Sequence, residues 1–120
     1  MTVLVDTSIW IDHLRRRDAR LSALLDAGAV LGHPFVTGEL ALGNLRQWTV
    51  IRELLESLPA AVRAADGEVL HLVERHDLHT SGIGWVDAHL LAAALLSGCR
   101  LWTRDQALRR VARRLGAARN

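Results

Sequence analysis

The sequence predicts an α/β domain with a mainly parallel central sheet of about four to five strands flanked by helices. Three observations carry that prediction. Short apolar runs alternate with stretches of helical periodicity along the chain, the pattern of parallel strands joined by helical crossovers. One late segment, Trp85 to Leu96, is apolar on nearly every side and must therefore be buried. Acidic residues recur where apolar runs give way to helices, at the edge where open α/β sheets form their crevices. A chain of 120 residues predicts one domain, 1–120, that buries about two-thirds of its unfolded surface without disulfides.

The elements follow in order. Val3 to Val5 reads as a short buried strand, and Thr7 or Ser8 can cap a helix through Ile9 to Leu14. Asp18 can cap a second helix carrying Leu21, Leu24 and Leu25, which Gly28 stops. Ala29 to Leu31 is a second strand. Thr37 to Gly43 reads as a short helix, and Leu45 to Leu58 as a longer one ended by Pro59. Ala61 to Ala64 reads as a weak third strand, and Asp66 can cap a helix carrying Val69, Leu70, Leu72 and Val73. Asp77 to Gly84 is the longest loop. The apolar helix Trp85 to Leu96 ends at Gly98, Arg100 to Thr103 forms a fourth strand, and Gln106 to Leu115 forms a final amphipathic helix.

Composition removes several function classes. No run approaches the roughly 18 to 20 apolar residues of a membrane span, and the N-terminus lacks a basic region and cleavage site, which predicts a cytoplasmic protein. The single Cys99 reads as a small core residue. All fifteen basic residues are arginine, and seven of them fall between Arg100 and Arg119. Arginine suits phosphate oxygens, so this tail is a candidate phosphate-binding surface, although on this segment alone a solvated helix face is the favoured reading. Without lysine there is no P-loop and no Schiff-base enzyme. Receiver domains and haloacid-dehalogenase-type phosphatases, which also place acids at strand ends, rely on a lysine as well.

Asp6, Glu39, Asp87 and Asp105 stand out. Asp6 follows Val3-Leu4-Val5, Asp105 follows Leu101-Trp102-Thr103-Arg104, and Glu39 and Asp87 open apolar helical stretches without a cationic neighbour in sequence. Singly, each acid is explained by helix capping or by the helix dipole. Together they predict a shared pocket at the carboxyl edge of the sheet. Two like charges about 4 Å apart repel by about 4 kcal/mol at an effective dielectric of about 20, so crowded carboxylates favour a bound cation or a retained proton. Hard oxygen donors suit Mg²⁺ or Mn²⁺, and such a site matches nuclease chemistry. Thr103 and Ser8 can orient an acid or a water, with turn or helix capping as the alternative.

The segments Val5-Asp6-Thr7-Ser8-Ile9-Trp10, His33-Pro34-Phe35-Val36-Thr37-Gly38-Glu39-Leu40-Ala41, Gly82-Ile83-Gly84-Trp85-Val86-Asp87-Ala88-His89-Leu90 and Leu101-Trp102-Thr103-Arg104-Asp105, in that order, resemble PIN-domain ribonucleases of the VapC toxin type. The resemblance implies a Mg²⁺- or Mn²⁺-dependent endoribonuclease that leaves 5'-phosphate and 3'-hydroxyl ends, forms homodimers and is held inactive by a cognate VapB-like antitoxin. By position, Asp6, Glu39, Asp87 and Asp105 match the family's acidic metal cluster, and Thr103 matches the hydroxyl before the last acid. A non-catalytic RNA-binding module using the arginine tail and a DNA nuclease using the same acids remain alternatives.

The histidines lack zinc-site spacing and contain no His-Glu-x-x-His run, so polar or core roles are expected, with His13 and His33 able to approach the pocket rim. Trp10, Trp48, Trp85 and Trp102 sit in apolar patterns that favour packing over base stacking. The apolar surface of residues 36 to 58 exceeds what one small core needs and predicts a second copy or an antitoxin against it.

Overall fold

A computed structural model of the chain describes residues 1–119; Asn120, the last residue of the predicted domain, lies outside the described residues. Three parallel strands form the sheet: β1 (Val3–Val5) is central, with β2 (Val30–Leu31) on one side and β3 (Arg100–Trp102) on the other. Val3 pairs with Val30 and with Arg100, and Leu4 with Leu31 and with Leu101. All of β1 is buried, as expected of a strand covered on both faces.

The sheet is smaller than the four to five strands expected. Among the described residues, one isolated bridge lies beyond β2, Gly32 to Ala60, and one beyond β3, Leu101 to Ala118. The expected strand Ala61 to Ala64 fails for local reasons. Pro59 has no N–H to donate, Ala61 N donates to Gly32 O at 2.9 Å, and the next donor, Val62 N, turns away to Ser97 Oγ at 2.8 Å. Alanines offer little side chain to hold an edge strand in place. Gly32 lets this edge lie close to the following helices: a Cβ there would stand 3.3 Å from Leu55 O.

The helices are α1 (Thr7–Arg15), α2 (Ala19–Asp26), α3 (Pro34–Ala41), α4 (Trp48–Ser57), α5 (Asp66–Arg75), α6 (Trp85–Ser97) and α7 (Gln106–Arg114), with a short 3₁₀ turn at Leu78–Thr80 inside the expected loop. Asp18 caps α2 as expected, accepting from Arg20 N and Leu21 N. Two caps differ from expectation. Asp6, rather than Thr7 or Ser8, precedes α1, and Ala65 rather than Asp66 precedes α5, its N–H donating to Glu68 Oε1 at 2.9 Å. The third helix begins three residues earlier than expected because His33 caps it, its Nδ1 accepting from Phe35 N at 3.0 Å, and Pro34 fits the first turn. Glu39 therefore lies in the later half of α3, not at its start.

Helix α6 runs through the middle of the domain, with every residue from Ala88 to Ala94 buried, and Gly98 closes it at φ +65°. Leu4, Val5, Trp10, Leu21, Leu40, Leu90, Leu91, Leu101 and Leu108 fill the core around the sheet. Cys99 is buried and free, as expected. Trp10 and Trp102 are also buried, whereas Trp85 is 45% exposed. Among the described residues, no helix is long and apolar enough to cross a membrane.

Candidate active site

The end of β1 sets the site. Asp6 N donates to Trp102 O at 2.9 Å, a final link to the neighbouring strand, and the chain then turns into α1. The Asp6 side chain is buried, with 7% of the residue exposed, and receives three donors: Thr7 N on Oδ1 at 2.8 Å, and Ser8 Oγ at 3.0 Å and Thr103 Oγ1 at 2.7 Å on Oδ2. A short buried carboxylate with three donors has one orientation available.

Thr103 couples two acids. Its hydroxyl donates to Asp6 and accepts from Asp105 N at 3.0 Å, tying the ends of β1 and β3 together. Asp105 caps α7, its Oδ1 accepting from Leu108 N at 3.0 Å. Ser8 Oγ, besides donating to Asp6, accepts from Arg104 N at 3.1 Å. Thr7 reaches the other way: its hydroxyl donates to Glu39 Oε1 at 2.6 Å, drawing the exposed glutamate of α3 toward the start of α1. Asp87 stands in the first turn of α6, where its Oδ2 accepts from Gly84 N at 3.3 Å.

Asp87 reports the electrostatics of the group. Burial holds its carboxyl above the ordinary value, the Gly84 N–H pulls it back down, and the charges of Asp6, Asp105 and Glu39 push it up again. Asp87 thus lies within electrostatic reach of the other three acids. They do not form a closed cage: among the described residues no three His, Cys, Asp or Glu side chains are gathered at metal-holding spacing. The donor set nevertheless fits a hard divalent ion that keeps several of its waters, and such a charge would relieve the repulsion Asp87 experiences.

Thr7 is a part of this arrangement that spacing did not reveal, since its partner lies 32 residues away. The histidines take structural work. His13 Nδ1 accepts from Asp18 N at 2.9 Å, and His33 caps α3. His89 is buried against Phe35 and Trp85; its Nε2 stands 3.2 Å from Asp66 Oδ1, without the alignment of a hydrogen bond.

A family model described as the PIN domain matches residues 3–114. Two relatives named Ribonuclease VapC32, from Mycobacterium tuberculosis strains CDC 1551 / Oshkosh and ATCC 25618 / H37Rv, are each 47% identical over 117 residues, covering 97% of this chain and 94% of the relative. The crystal structure of PAE2754 from Pyrobaculum aerophilum matches 92% of this chain and 78% of its own, with a TM-score of 0.58 at 20% identity, and so shares the fold. The chain belongs to the PIN domain family and is of the VapC type.

Proposed function

We propose that this chain is a Mg²⁺- or Mn²⁺-dependent endoribonuclease acting in the cytoplasm as the toxin of a toxin–antitoxin pair. The observation that carries the proposal is the hydroxyl-linked gathering of acids. Thr103 joins Asp6 to the backbone of Asp105, Thr7 joins α1 to Glu39, and Asp87 is pushed up by burial and then by the charges of the other three. The kinship with Ribonuclease VapC32 supports RNA as the substrate.

Asp6, Glu39, Asp87 and Asp105 would hold the ion. Bound there, Mg²⁺ or Mn²⁺ supplies Lewis-acid charge to the phosphodiester and to the attacking water. The protein's own contribution is orientation. The three donors on Asp6 leave its carboxylate no freedom to swing away, and Thr103 keeps β3 and the cap of α7 in register with it. Asp87, whose carboxyl burial and the charges of the other three acids hold above its ordinary value, is the acid whose ionised form a bound cation would stabilise most.

A second copy and a VapB-like antitoxin complete the reading. Leu42, Val50 and Leu54 expose 89%, 61% and 38% of their surface along the end of α3 and on α4, an apolar face suited to a partner. A monomeric mass in solution would remove the homodimer. Purified protein is expected to cleave single-stranded RNA only with Mg²⁺ or Mn²⁺, and Asp6→Asn to lose at least about a hundredfold in rate while keeping its circular dichroism spectrum. Full activity of Asp6→Asn in a preparation free of other nucleases would overturn the site assignment.

A further inference from the structure

A cavity of about 390 Å³ lies at the end of β3, lined by Thr103, Arg104, Arg109, Arg119, Arg20 and Trp102. Its acidic lining residues are already matched. Asp18 is paired with Arg20 at 2.9 Å, an interaction that holds its carboxyl down at about 2, and Asp12 is paired with Arg104. Arg109 and Arg119 make no ion pair among the described residues. The guanidinium of Arg119 sits 4.7 Å over the Trp102 ring and that of Arg20 5.0 Å from it, so the buried indole holds two cationic forks at the cavity wall.

Local architecture accounts for this surplus of positive charge. Helix α7 buries Leu108, Val111 and Ala112, which turns Arg109, Arg110, Arg113 and Arg114 to solvent. Arg109 also lines a neighbouring depression with Gln106, Arg110 and Arg113, so the positive surface runs from the cavity along the helix. Thr103 is a wall of the cavity and a donor to Asp6, which places the arginines one strand end away from the acids. Planar guanidinium forks match phosphate oxygens.

We infer that this arginine-lined cavity binds a backbone phosphate of the RNA strand flanking the bond that is cut, and that the α7 arginines continue the track. The inference rests on the nuclease reading for its choice of RNA. The attraction is independent of sequence, so it sets affinity and the position of the strand rather than the cleavage motif.

The test measures binding of fluorescein-labelled single-stranded RNA of mixed sequence by anisotropy across a salt series, in the Asp6→Asn background so that the strand stays whole. Arg109→Gln and Arg119→Gln are each expected to weaken binding about tenfold near 0.1 M salt and to flatten the plot of log affinity against log salt by about 0.7. With Asp6 restored, the same changes should raise KM and leave kcat in place. Arg52→Gln removes an equal charge from α4 and should change neither quantity. Arg109 is exposed, so Arg109→Gln remains a sound variant if Arg119→Gln fails to fold.

An unchanged salt slope for both variants overturns the inference, as does an equal effect of Arg52→Gln. Loss of affinity for a protein partner with RNA binding unaltered also overturns it, assigning the cavity to that partner. If the wild-type protein cuts no RNA, the nuclease reading falls, while the salt slope still judges the cavity.

Discussion

Acidification from neutral pH toward 4 is expected to unlatch the start of α3 through His33. The side chain is 3% exposed, its Nδ1 accepts the Phe35 N–H, and its Nε2 has no partner. Burial, then the nearby Arg63 charge and His89, hold the imidazole down at about 4 from its ordinary 6.5. A proton added at Nδ1 would face the Phe35 N–H and destroy the cap. The folded state thus prefers neutral His33 while the unfolded chain takes up a proton near 6.5. The stability from the neutral side chain is complete above 6.5 and drains away as pH falls toward 4. At about 1.4 kcal/mol for each pH unit, the displacement amounts to roughly 3 kcal/mol when His33 is fully charged, and to roughly 2.5 kcal/mol at pH 4.5. His33→Asn keeps a good capping acceptor without a titrating ring. Urea unfolding followed by circular dichroism at pH 7 and pH 4.5 should show the wild-type protein losing roughly 2.5 kcal/mol more than the variant across this interval. Effects of other acids are common to both proteins and cancel. Parallel losses in the two proteins would refute the assignment of the acid sensitivity to His33.

Three further outcomes are expected. Because the Asp87 carboxyl is held up, its ionisation costs folding stability as pH rises above the unfolded value, so Asp87→Asn should melt higher than wild type at pH 7 without divalent metal; a lower melting temperature would contradict the crowding of the acids. Thr103→Val removes the donor to Asp6 and the acceptor for Asp105 N and should cost about 1–3 kcal/mol with loss of cleavage, whereas Thr103→Ser retains both; equal melting of the two variants would show that the hydroxyl does not matter. Mg²⁺ at about a hundred times its dissociation constant should raise stability by about 2.7 kcal/mol, and Asp6→Asn should shrink that gain; indifference to added metal would count against the acids as ligands.

Asp6 and Asp105 were legible because each follows a short apolar run and precedes a helix, and a strand end leaves an acid few other places to stand. Ser8 was legible as a hydroxyl able to orient an acid, and it donates to Asp6, but the partner of Thr7 was not legible. Both have the chemistry of a helix cap, but Thr7 spends its hydroxyl on Glu39 and Ser8 receives Arg104 N from 96 residues away, leaving the cap to Asp6. Glu39 was found as a residue and misplaced as a position. The apolar pattern suggested a helix from Thr37, whereas His33 and Pro34 start it earlier, the one supplying an acceptor and the other a preset backbone angle. The missing strand at Ala61 to Ala64 turns on where one N–H goes, and the donation of Val62 to Ser97 leaves no mark in the local sequence. Long-range hydrogen bonds account for the first and last of these gaps, whereas the second is a local cap between His33 and Phe35 N.

The end of β3 explains why acidic and basic surfaces meet so closely. Just past β3, Thr103 donates to Asp6 while the next residue, Arg104, pairs with Asp12. Backbone contacts hold both orientations: Ser8 fixes Arg104 N, and Thr103 fixes Asp105 N. A polyanionic strand is repelled by the four acids as they stand, and screening confines any compensating attraction to about 8–10 Å in physiological salt. Arginines placed elsewhere on the domain would therefore do little at the acids. Thr103 both lines the arginine cavity and donates to Asp6, so the two surfaces share a residue at the end of β3, where an attraction of that range counts.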